Sequence, residues 1–272
     1  MFLNSADGTR LLVEETGDGT PLILVHGGLS NTRAFDRVLP AFAERHRCLA
    51  LGRRGYGQSG DGASHSYERE AEDVFAVLAA LDEPAHLLGH SSGAIAALVA
   101  AATGPARLRS LVLYEPPLPI SNAHTGPWIA AVEAAVARGD NEEAALIGLR
   151  DGVGFSPEQI DRVRADPSWA ARTALVPGWA REIRSVEALP LGVERFRGVT
   201  TPTLLLLGTE TEPHHVEAIE ALHAALPNSE VALLTDQGHT ALVTAPDQVC
   251  DAVLPFLAAH SGPVHTNGTL AQ

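Results

Sequence analysis

The stretch Ala85-His86-Leu87-Leu88-Gly89-His90-Ser91-Ser92-Gly93-Ala94-Ile95-Ala96-Ala97-Leu98 decides how the rest of the chain is read. Residues 85–88 read as a short buried strand, and residues 94–102, built from strong helix formers, as a helix. Between them stands Ser91, with Gly89 and Gly93 on either side. Glycine lets a backbone turn sharply where a Cβ would clash. A serine on such a strand-to-helix turn has its Oγ raised above the sheet, and the new helix aims unpaired N–H groups at the same point. Ser91 is therefore a candidate nucleophile. The competing reading is a helix N-cap serine after a tight turn, supplied by Ser91 or Ser92. In a chain with 25 glycines the five-residue pattern alone carries little weight, so its flanks matter.

Working outward, apolar runs alternate with helical patterns. Residues 10–15 read as an edge strand ending at Gly17-Asp18-Gly19, and residues 22–25 as a buried strand followed by His26-Gly27-Gly28. Phe35, Val38, Leu39 and Phe42 have helical spacing over residues 32–44, where Pro40 is expected to end or kink the helix. Residues 47–51 form the next strand and lead into the glycine-rich loop Gly52–Gly60. Residues 67–81 form an amphipathic helix with Val74, Val77, Leu78 and Leu81 on one stripe. Beyond the central turn, Leu108–Tyr114 is a strand closed by Glu115-Pro116-Pro117, and residues 203–207 and 231–234 supply two more. Residues 215–226 and 247–259 are the last helices, the second with Pro246 near its first turn.

Strands that are short unbroken apolar runs are buried on both faces, which implies a mostly parallel central sheet flanked by helices, an α/β fold. Residues 118–197 break the rhythm: they hold helical patterns and all three tryptophans (Trp128, Trp169, Trp179) but no convincing strand. They are expected to form a helical cap inserted between two sheet strands. The expected organisation is thus a core of residues 1–117 and 198–260, a cap of 118–197, and a flexible tail from 261 to 272.

The chain has 272 residues, within reach of a single core, with 45% hydrophobic and 19% charged residues. With 19 basic against 33 acidic residues, it carries a formal charge of −14, which argues against nucleic acid or an anionic membrane as partner. A small-molecule substrate is the expected partner, and a homo-oligomer is left open. The first residues lack the charged and apolar regions of a signal peptide, and no run is long enough to span a membrane, so the cytoplasm is the expected location. The two cysteines, Cys48 and Cys250, have no metal or disulfide spacing and read as small core residues in a reducing compartment.

His26-Gly27-Gly28 after one strand, Arg54-Gly55-Tyr56-Gly57-Gln58-Ser59 after the next, the Ser91 turn, and Gly238-His239 after the last strand follow one another in register. In this order the chain resembles the α/β-hydrolase superfamily over nearly its whole length. The resemblance implies the α/β-hydrolase fold with a helical cap, Ser91 as nucleophile, His239 as general base, and the backbone N–H groups of Gly28 and Ser92 as the oxyanion hole. It implies no cofactor. The residues support parts of this independently. A serine hydroxyl needs a neighbouring imidazole to take its proton, and His239 lies in a loop at the carboxyl end of the final strand, over the crevice where α/β sheets bind ligands. Gly28 lacks a side chain, so its N–H can approach a substrate closely, though a plain turn glycine would look the same. His26 and His90 are expected to stabilise turns or line a pocket. His214 and His215 begin a surface helix, with no metal-ligand pattern, and no metal is assigned.

The carboxylate that would orient the histidine departs from the commonest family pattern. That position, three residues past Gly208, is Thr211, flanked by Glu210 and Glu212. Glu115, at the end of the strand Leu108–Tyr114, is the other candidate, and Leu113-Tyr114-Glu115-Pro116 resembles the corresponding segment of dehalogenase and lactone-hydrolase branches. A glutamate at the end of a buried strand needs a partner to stay ionised, and an imidazolium supplies one. Glu115 is preferred, with Glu210 as the alternative. The family also usually has Asp where this chain has Gly52, and the loop around it reads as packing beneath the site.

The function expected is cofactor-free hydrolysis of an ester or lactone of a small organic molecule through an acyl-enzyme. Hydrolysis of a carbon–carbon bond, or haloperoxidase-like perhydrolysis, would use the same residues. A non-catalytic small-molecule receptor on this fold is the reading from another class, kept open by Thr211.

Overall fold

The computed structural model describes residues 1–104, 107–121 and 126–262. Among them, eight strands form one sheet: β1 (Phe2–Asn4), β2 (Arg10–Thr16), β3 (Thr20–Val25), β4 (His46–Leu51), β5 (Ala85–His90), β6 (Leu108–Tyr114), β7 (Thr203–Gly208) and β8 (Ser229–Leu234). Their spatial order is β1-β2-β4-β3-β5-β6-β7-β8. The β1–β2 and β2–β4 pairs are antiparallel and the rest are parallel. The strand expected at 10–15 is therefore not the edge, because β1 pairs outside it. Three residues with half-exposed side chains gave no periodicity to detect.

The chain places β4 on one side of β3 and β5 on the other. This reversal opens a crevice at the strands' carboxyl ends, the usual ligand position in open α/β sheets. Helices cover both faces. On one, α2 (Tyr67–Ala79), α3 (Ser92–Thr103) and α9 (Pro213–Ala225) pack on Ile23, Val25, Leu111, Leu113 and Leu205. On the other, α1 (Leu39–Ala43), α10 (Ala241–Thr244) and α11 (Pro246–Ala259) pack on Leu22, Leu24, Val112, Leu204 and Leu206. Alternate residues of each strand thus feed opposite cores, as the pleat requires. The stretch expected as one helix over 32–44 is a 3₁₀ turn, Thr32–Phe35, followed by α1, whose first turn holds Pro40. Proline starts this helix rather than kinking it because its missing N–H costs nothing there. At the far edge Leu233 and Val231 of β8 are exposed, unlike the inner strands.

Between β6 and β7 the described residues hold helices and no strand: α4 (Pro127–Ala137), α5 (Asn141–Ile147), α6 (Pro157–Ala165), α7 (Trp169–Thr173) and α8 (Val176–Glu187), with a π turn at Gly148–Val153. Ile129, Val132, Leu149, Trp179 and Ile183 give this layer its own apolar core, which also takes in Leu29 from the loop after β3. Of the tail expected at 261–272, residues from 263 onward lie outside the described residues. Ser261 and Gly262 are held, their carbonyls accepting from Arg109 Nη1 at 3.2 and 2.6 Å. Among the described residues no helix is long and apolar enough to cross a membrane.

Candidate active site

Ser91 stands between β5 and α3 at φ 56° and ψ −128°. A non-glycine residue there costs on the order of 1–3 kcal/mol and persists only where its surroundings over-determine it. Here they do. The Ser91 N–H donates to the Tyr114 carbonyl at 2.8 Å. A Cβ on Gly89 would collide with the Gly93 carbonyl, and one on Gly93 with the carbonyls of Val25 and His26. The flanking glycines are thus demanded by the close approach of α3 to the strand ends. Ser91 occupies the N-cap position but makes no side-chain capping bond, so the N-cap reading does not describe its hydroxyl. The other non-glycine residues of positive φ among those described are Leu29, Glu115 and Asp236, in the loops leaving β3, β6 and β8. Backbone strain is gathered at this end of the sheet.

His239 lies in the loop between β8 and α10. Its Nδ1 is 2.7 Å from Glu115 Oε2, and the other Glu115 oxygen accepts the Gly208 N–H at 2.9 Å. Glu115 is fully buried. The structure thus brings Glu115, and not Glu210, to the imidazole: Glu210 is exposed. Thr211 has a buried hydroxyl with no hydrogen-bond partner among the described residues.

Tyr114, which the sequence did not single out for the site, braces the same loop together with His90 and His215. Tyr114 donates its hydroxyl to the Gly238 carbonyl and accepts the Ala241 N–H at 3.0 Å. His90 Nε2 lies 3.0 Å from the His239 carbonyl, so His90 positions the loop rather than lining the cavity. Burial, with His239 alongside, holds the His90 imidazole well below the usual histidine range. His215, expected on a surface helix, is instead buried and stacks on His239 with ring centroids 4.4 Å apart and 9° between planes. The helix was found from its spacing. The side it turns inward could not be, because one apolar position on α9 looks like another.

Ser91 and His239 line one cavity. No hydrogen bond joins them. In ligand-free enzymes such bonds are often long and tighten with substrate. Trp128, Ile129, Trp179 and Ile183 from the helical layer form the opposite, apolar wall. Two of the tryptophans therefore face the cavity, while Trp169 packs within the layer. No hydrogen bond from the N–H of Gly28 or Ser92 is found within the described residues. Ser92 opens α3, where N–H groups have no intrahelical acceptor. A Cβ on Gly28 would come within 2.5 Å of Trp179, so this glycine is also required for α8 to seat.

Behind the cavity lies a buried polar cluster. Arg53 donates to both oxygens of Glu70 at 2.6 Å and to Ser92 Oγ at 3.0 Å, and lies 2.8 Å from Glu182 Oε2. Tyr56 donates to the same Glu182 oxygen at 2.7 Å, and His65 Nε2 lies 2.7 Å from Glu70 Oε1. His26 accepts the Arg53 N–H at 3.2 Å, and burial pushes its pKa down to about 3. Next to it, Arg54 donates to both oxygens of Asp73 at 2.7 and 2.6 Å. The loop that read as packing beneath the site is pinned by these pairs.

The carboxylate and imidazoles of Glu115, His215 and His239 lie within 4.8 Å of one another, a donor set that zinc accepts, although the sequence had not grouped them. His65, Glu70 and Glu182 are equally close. In both groups the carboxylates already have hydrogen-bond partners of their own. Chemically, the cavity offers a hydroxyl on a strained turn and an imidazole hydrogen-bonded to a buried carboxylate.

Residues 22–252 match the alpha/beta hydrolase family. The chain is 27% identical to 2-(acetamidomethylene)succinate hydrolase of Mesorhizobium japonicum over 92% of each chain. Among solved structures it is similar to an alpha/beta hydrolase from Sphaerobacter thermophilus, with TM-score 0.85, 27% identity, and coverage of 94% of this chain and 100% of that one. It is also similar to an esterase from Rhodococcus sp. ECU1013, with TM-score 0.77, 25% identity, and coverage of 96% and 98%.

Proposed function

This chain belongs to the alpha/beta hydrolase family and is an enzyme of it, and from that premise we propose that it is a serine hydrolase cleaving an ester or lactone of a small organic molecule. Ser91 Oγ attacks the carbonyl carbon while His239 takes its proton. Glu115 fixes the imidazole with Nδ1 protonated and stabilises the imidazolium. The N–H groups of Gly28 and Ser92 hold the developing oxyanion. His239 returns the proton to the leaving oxygen, and the acyl-serine forms. Water then attacks that ester with His239 again as base, releasing the acid and restoring Ser91. No cofactor enters these steps. Residues 118–197 act as a cap that shapes the acyl site, and two buried free cysteines suit a cytoplasmic location.

The observation that carries this reading is the Glu115–His239 hydrogen bond at a cavity that Ser91 shares. The names of similar proteins, a succinate-derivative hydrolase and an esterase, support acyl chemistry. Hydrolysis of p-nitrophenyl acetate alongside labelling by a fluorophosphonate tests it. Both should occur, and both should vanish in Ser91→Ala. Labelling without turnover would point to a receptor, and neither signal would remove the hydrolase reading.

A further inference from the structure

Glu182 is a buried carboxylate of the cavity wall that ester hydrolysis does not use. It comes from α8, is 2% exposed, and lines the cavity alongside Trp179 and Ile183. Tyr56 and Arg53 both engage its Oε2. No hydrogen bond from a described residue reaches Oε1. That oxygen lies 2.9 Å from where a Cβ on Gly28 would stand, so it faces the residue assigned to the oxyanion hole.

A carboxylate there is costly for plain ester hydrolysis. Negative charge develops on the substrate oxygen at Gly28, and like charges repel strongly where water is excluded. Arg53 does not cancel the effect, because the same guanidinium also serves Glu70. A donor carried by the substrate would reverse the sign. Lodged between Oε1 and the carbonyl, it would satisfy the carboxylate and offset the oxyanion together. A site built to bond a donor rejects analogues lacking it, because the protein group is left unpaired.

We propose that Glu182 selects esters bearing a hydrogen-bond donor, an ammonium or a hydroxyl, within two or three bonds of the reacting carbonyl. This rests on the hydrolase reading and adds the substrate's second recognised group.

The test compares kcat/KM for alanine methyl ester and for methyl lactate, each against methyl propionate, in the wild type and in Glu182→Gln. Taking the ratio between enzymes cancels the intrinsic reactivity of the esters. The donor-to-propionate ratio should fall at least about tenfold in the variant. A fall for the ammonium ester alone identifies a cationic substrate, and a fall for both esters identifies donors in general. Unchanged ratios overturn the proposal. Should Glu182→Gln fail to fold, competitive inhibition of the wild type decides: alaninamide should bind at least about tenfold tighter than propionamide, and equal inhibition constants overturn it. Wild type that hydrolyses p-nitrophenyl acetate without donor preference sinks this inference and leaves the hydrolase reading standing. Wild type that cleaves no ester and takes no fluorophosphonate sinks the hydrolase reading first.

Discussion

Glu115 holds His239 with one carboxylate oxygen and the Gly208 N–H with the other, so a single buried side chain ties the end of β6 to β7 and to the last loop. If that carboxylate orients the imidazole, Glu115→Gln should lower kcat on the order of 10⁴ by favouring the wrong tautomer. Glu210→Gln, at an exposed position, should stay within about threefold of wild type. Steady-state rates of the two variants separate the alternatives, and equal small losses would mean neither residue is the acid.

Ser91 carries both the hydroxyl and the strained backbone. Ser91→Ala should lose on the order of 10⁶ in kcat if the residues act as a unit. Ser91→Gly should lose activity equally but gain about 1 kcal/mol in urea unfolding, because glycine occupies positive φ without penalty. Activity within tenfold of wild type in either variant would reject the nucleophile.

Glu115, His215 and His239 are close enough to share a cation, yet the proposed chemistry needs none. Ester hydrolysis should persist at full rate after exhaustive dialysis against EDTA. A loss that zinc restores would recast these residues as a ligand set.

Acid should destabilise the fold through its buried imidazoles. His26 and His86 are held down to about 3 by burial, and His90 is depressed for the same reason. Below the ordinary value of about 6.5 the unfolded chain binds protons that the folded chain refuses, so stability falls as pH drops toward 3, by up to about 1.4 kcal/mol per unit for each group. Glu70, lowered to about 2 chiefly by Arg53 against its burial, adds the same sign below the carboxylate range, whereas Asp73, raised by burial, opposes it. Urea unfolding free energies between about pH 7.5 and 5 should be level at first and then decline. A flat profile would show that these histidines titrate freely.

The inner strands were legible because an unbroken apolar run records burial on both faces. The turn at Ser91 was legible because glycine is demanded where α3 meets the sheet. Gly238-His239 marked its loop by position alone. What escaped notice was polar and buried. Arg53, Tyr56 and Glu182 look like surface residues until a partner 126 positions away is brought against Tyr56. Burial of charge is decided by such distant pairings, which no local period encodes. His215 was hidden for a related reason: its helix could be found, but the neighbour its ring would meet could not.

The contact of Arg53 with Glu182 spans the sheet and the helical layer above it. Were that layer to swing away during each turnover, a guanidinium and a carboxylate would part company in a dry interior, which typically costs about 3–5 kcal/mol. The enzyme would then breathe slowly as a whole. A helical layer held by that pair keeps Trp128 and Trp179 on the cavity wall opposite Ser91.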